Sequence, residues 1–92
     1  MTSAQKRTAL NHYSAYKRST TYSLDSAYGT DSSAKARAWR YCEDLMNQYD
    51  GYGLKVIGHN YHTFSAGFMF EQDGKEMFMY ITHARDTAVE VA

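Results

Sequence analysis

Asp73-Gly74 stands between two apolar, aromatic runs, residues 64–70 and 77–82, and this arrangement constrains the fold more than any other stretch of the chain. An Asp-Gly pair in that setting favours a type I′ turn, which needs a left-handed backbone at both central residues and matches the twist of paired strands. With Asp73 and Gly74 as the loop, Phe70 faces Met77, Phe68 faces Met79, Ala66 faces Ile81 and Phe64 faces His83. Side chains alternate along a strand, so Phe64, Ala66, Phe68, Phe70, Met77, Met79 and Ile81 share one face. The other face carries Ser65, Gly67, Met69, Phe78, Tyr80 and Thr82. The first face is the better core, but the second is unusually apolar for a solvated sheet.

Upstream, Leu54-Lys-Val-Ile57 predicts a third strand, joined to Phe64 through Gly58-His-Asn-Tyr-His62, whose polar residues and glycine suit a loop. The expected sheet is a three-stranded antiparallel meander with 64–70 at its centre. Gly67 in a central strand is costly unless a neighbour packs closely on it. Residues 87–92 end the chain as a short strand or a tail.

Two helical segments precede the sheet. Thr2-x-x-Gln5 has the form of a capping box and predicts a helix beginning near Ser3. Ala9, Tyr13 and Tyr16 give it an apolar stripe, with Leu10 beside them, while Lys6, Arg7, Lys17 and Arg18 lie elsewhere. Residues 22–28 form either a second short helix, with Gly29 after it, or the continuation of one bent helix. The clearest helix runs over 32–50, capped by Thr30 or Asp31 and ended by Gly51. Its buried stripe is Ala34, Ala38, Tyr41, Cys42, Leu45 and Tyr49, widened by Trp39 and Met46. The expected architecture is a two-layer α+β domain, ααβββ, with residues 1–29 as an N-terminal helical segment and 30–92 as a helix plus meander.

Ninety-two residues suit one domain with a small core. Ten basic and ten acidic residues cancel, which removes any global field for nucleic acid or for an acidic mimic of it. Their distribution is uneven: residues 1–40 hold seven basic and two acidic side chains, and residues 41–92 three and eight. Cys42 is the single cysteine, with no local motif of a reactive nucleophile, and reads as a small apolar residue on a buried helix face. No apolar run approaches the ~20 residues of a membrane span, and no signal-peptide pattern opens the chain, so a cytoplasmic protein is expected.

Few residues form a chemical constellation. His59, His62, His83 and Asp86 gather near one end of the expected sheet, yet the spacing falls in a loop rather than on one helix face, so strand-end histidines without metal are expected. No glycine pattern forms a phosphate loop, and Glu43 and Asp44, adjacent on a helix, point about 100° apart. The basic N-terminal segment with Tyr13, Tyr16 and Tyr22 suggests a grip on a phosphate backbone or an acidic partner. The second sheet face remains. If the N-terminal segment crosses it, Met69, Phe78 and Tyr80 are core; if it packs beside the helix, they form an aromatic patch rimmed by Glu71, Asp73 and Glu76. That patch suits a protein partner or a homodimer contact. The acidic rim argues against unpaired bases stacking there.

Ala34-Lys-Ala-Arg-Ala-Trp-Arg-Tyr-Cys-Glu43, Gly53-Leu-Lys-Val-Ile-Gly-His-Asn60, Phe64-Ser-Ala-Gly-Phe68 and Met77-Phe-Met-Tyr-Ile-Thr82 resemble small proteins encoded by phages and mobile elements of Gram-positive bacteria. The resemblance implies a genetic setting rich in inhibitors of host defence, anti-CRISPR proteins among them, and transfers no site residues. The reading is therefore a non-enzymatic accessory protein without cofactor that binds a host protein, most specifically a CRISPR effector. Met69, Phe78, Tyr80, Glu71, Asp73 and Glu76 are its expected contact residues. The alternative is a small nucleic-acid-binding protein using the basic, tyrosine-rich N-terminal segment.

Overall fold

The computed structural model describes residues 2–18, 34–59, 64–82 and 85–91. Their order is α1 (Ser3–Arg18), α2 (Ala34–Gln48), β1 (Tyr52–His59), β2 (Phe64–Gln72), β3 (Lys75–Thr82) and β4 (Asp86–Glu90), with the strands in one antiparallel sheet in sequence order. The hairpin follows the expected register: Phe70 pairs with Met77, Phe68 with Met79 and Ala66 with Ile81. Asp73 and Gly74 take φ of 54° and 76°, the left-handed pair that a type I′ turn requires.

The sheet has four strands rather than three. Thr82 and Arg85 exchange backbone hydrogen bonds at 3.0 and 3.4 Å, which turns the chain back and lays β4 along β3. Alternation in β4 then sends Val89 to one face and Ala88 to the other, so this five-residue strand contributes to both cores.

Nor does the chain form two layers. Trp39 and Cys42 of α2 pack with Val56, Ala66, Phe68, Phe70, Met79 and Ile81 on one face. Ala9 and Tyr16 of α1 pack with Met69, Phe78 and Val89 on the other. A sheet apolar on both faces gains from covering both, since fully burying each large apolar side chain contributes about 1.5–3 kcal/mol. The helices therefore sandwich the sheet.

Local signals set the helix ends. The Thr2 N–H donates to Gln5 Oε1 at 2.8 Å and the Gln5 N–H to Thr2 Oγ1 at 3.1 Å, closing the capping box. At the end of α2, the Gly51 N–H bonds the Met46 carbonyl at 2.8 Å and the Asp50 N–H bonds that of Asn47 at 3.3 Å, a Schellman arrangement. Its left-handed residue is Asp50 (φ 52°), not Gly51. Gly51 has a different reason to be small: a Cβ there would stand 2.5 Å from the Phe68 ring. Tyr41, expected in the buried stripe, is 49% exposed and donates its hydroxyl to Asp86 at the start of β4. The expected helix over 22–28, and the Thr30 or Asp31 cap, lie outside the described residues.

Candidate functional site

The sheet face expected to meet a partner is core. α1 crosses it, leaving Phe78 fully buried and Met69 5% exposed. Tyr13 and Tyr16 flank the Phe78 ring, each with its centroid 5.2 Å away. Tyr80 is half-buried, and His12 stacks on it at 4.0 Å with rings nearly parallel. Burial pushes the Tyr80 phenol up and the His12 imidazole down, since both charged forms lose solvation. The physical reason for the difference is that α1 carries an aromatic stripe matching an aromatic sheet face, and neither is stable in water alone.

The same contact engages two of the three tyrosines of the nucleic-acid reading, Tyr13 and Tyr16. Tyr16 is buried against the sheet, Tyr13 is half-buried there with the Lys17 Nζ 4.8 Å from its ring centroid, and Tyr22 lies outside the described residues. Lys6, Arg7, Lys17 and Arg18 remain exposed. Tyr16 is anchored further: its hydroxyl donates to the Gly53 carbonyl at 2.5 Å, and the Lys55 Nζ stands 4.5 Å over its ring and donates to its carbonyl at 3.3 Å. No local sequence signal marks that bond, which spans 37 positions.

The acidic rim behaves otherwise. Glu71, Asp73 and Glu76 are all exposed at the β2–β3 turn. Glu71 and Glu76 are direct cross-strand partners, so two carboxylates stand opposite each other with no intervening residue. Like charges in that position destabilise a sheet. Tyr52, 56% exposed, enters beside them: it pairs with Met69, and its hydroxyl lies 3.4 Å from a Glu76 oxygen. Lys75, the one basic residue in the turn, is 3.9 Å from Glu90 on β4. This end of the sheet therefore presents clustered carboxylates around an exposed aromatic ring. The carboxylates were legible as turn residues; Tyr52 was not, because its place depends on the β1–β2 pairing.

The chain matches no protein-family description, no curated protein and no solved structure.

The other candidates resolve less. His59 lies in β1, while His62 and His83 fall outside the described residues. The Asp86 carboxylate accepts from Tyr41, and among the described residues no three His, Cys, Asp or Glu side chains are placed to hold a metal. Cys42 is fully buried and burial pushes its thiol up to about 12, which disfavours the reactive thiolate. Among the described residues no helix is long and apolar enough to cross a membrane.

Proposed function

We propose that the chain is a non-enzymatic binding module that docks the acidic β2–β3 end of its sheet onto a basic surface of a host protein. The observation that carries this reading is the exposed Glu71–Glu76 pair, with Asp73 in the turn and Tyr52 at its side. The pair costs stability where it stands, and a basic partner would convert that cost into attraction. Carboxylates around an exposed tyrosine suit an interface whose charges steer encounter and whose aromatic ring supplies contact area. A second copy of the chain is a poor occupant, since two acidic ends repel.

In its most specific form the module inhibits a CRISPR effector in the cytoplasm of a bacterial host. Support for that form comes from the resemblance to small phage and mobile-element proteins, and from the basic surfaces that nucleic-acid-handling proteins offer.

Capture from bacterial lysate with the intact chain, followed by kinetics on the captured protein and on purified CRISPR effectors, tests the reading. Reversing Glu71 and Glu76 to Lys should slow association and flatten its salt dependence, and Tyr52→Ala should weaken binding by about tenfold or more. Association rates unaffected by the reversal would overturn the site. Sub-micromolar binding to bare DNA or RNA, abolished by reversing Lys6, Arg7, Lys17 and Arg18, would replace the reading with the nucleic-acid one.

A further inference from the structure

At the opposite end of the sheet, α1 and the β3–β4 pair border an open cleft of about 270 Å³. It exists because both layers carry small residues there: Ala4, Thr8 and Ala9 from α1, and Thr82 and Thr87 from the strands. Towards the other end the same interlayer space is filled by Tyr13, Tyr16 and Phe78. Interiors close such gaps to the density of organic crystals, so an open, mostly apolar gap with a few polar groups is the form of a ligand site. Tyr80 forms a wall, its ring held by the His12 stack. Arg85 is the one charged residue of the lining; it is exposed and has no carboxylate partner among the described residues.

We propose that this cleft binds a small organic acid, its apolar body against Ala4, Ala9 and Tyr80 and its carboxylate on the Arg85 guanidinium. A planar guanidinium matches a carboxylate through two parallel hydrogen bonds. The cleft volume lies just below the usual range of ~300–1,000 Å³ for ligand pockets, which sets the scale at a single ring or a short aliphatic chain. The site is separate from the acidic end and does not depend on the partner proposed for it.

The test titrates the full chain with benzoate and hexanoate, with benzamide as the neutral control, and follows amide chemical shifts by NMR. Saturable shifts at Ala4, Thr8 and Thr87 with at least one acid are expected, with benzamide about tenfold weaker or worse. Arg85→Gln should weaken the acid by about tenfold, and Ala4→Leu, at an exposed helix position, should close the cleft. Arg85 shapes the β3–β4 turn through its backbone N–H and carbonyl, which glutamine keeps, so that variant carries the test even if Ala4→Leu disturbs α1. Absence of saturable shifts with both acids, equal affinity for benzamide, or unchanged affinity in Arg85→Gln would overturn the proposal.

Discussion

The ring of Phe78 occupies the space above Gly67 that any side chain at that position would need. A Cβ on Gly67 would stand 2.5 Å from the Phe78 Cε1 and 2.9 Å from the Met79 carbonyl oxygen. The glycine that looks costly in a central strand is thus the seat of the aromatic cluster formed with Tyr13 and Tyr16.

Gly67→Ala should accordingly destabilise the fold by about 1–3 kcal/mol, as overpacking does. Phe78→Ala should cost about 3–5 kcal/mol. Because one substitution relieves the clash made by the other, the double variant should lose less than the sum, and chemical denaturation of all four proteins measures the difference. Additive losses would mean the two sites do not share that space.

The opposite core gives a parallel test. Phe68 is fully buried between α2 and the sheet, so Phe68→Ala should also cost about 3–5 kcal/mol. Unshifted thermal unfolding of that variant would contradict a core on both faces.

Asp50 holds the left-handed position at the end of α2 with a residue that tolerates it less well than glycine. Asp50→Gly should raise stability by roughly 0.5–1 kcal/mol, visible as a higher Tm. A lower Tm would mean that the Asp50 side chain makes a contact worth more than the backbone strain.

Tyr16 and Tyr41 make stability depend on alkaline pH. Burial pushes the Tyr16 phenol up to about 12, and the hydrogen bond to Asp86 does the same for Tyr41. A pKa raised on folding favours the native state fully below the unfolded value of 10.0, and that advantage is lost as pH climbs through the folded value. Stability should therefore fall between pH 10.0 and about 12, and Tyr16→Phe and Tyr41→Phe should each reduce the slope. Tyr41 is largely exposed, so solvent screening makes its share the smaller. Denaturant midpoints across that range measure both, and an unchanged slope in Tyr16→Phe would rule out its phenol as a contributor.

By itself the sequence determined whatever rests on neighbours a few positions apart. Asp73-Gly74 and the alternation around it specify the β2–β3 register, because a slip of one residue would exchange the two faces. Thr2 and Gln5 start α1 because they satisfy each other within one turn. Tertiary structure alone decided which helix covers which face. Both faces of the hairpin are apolar and both helices carry apolar stripes, so periodicity leaves the matching open; it closes only when Tyr16 reaches Gly53, 37 positions away, and Tyr41 reaches Asp86, 45 positions away. That choice buried Met69 and Phe78, drew Val89 of a weakly patterned fourth strand into a core, and left Glu71, Glu76 and Tyr52 exposed. Such contacts gain free energy only after the chain has closed on itself, which is why no local pattern announces them.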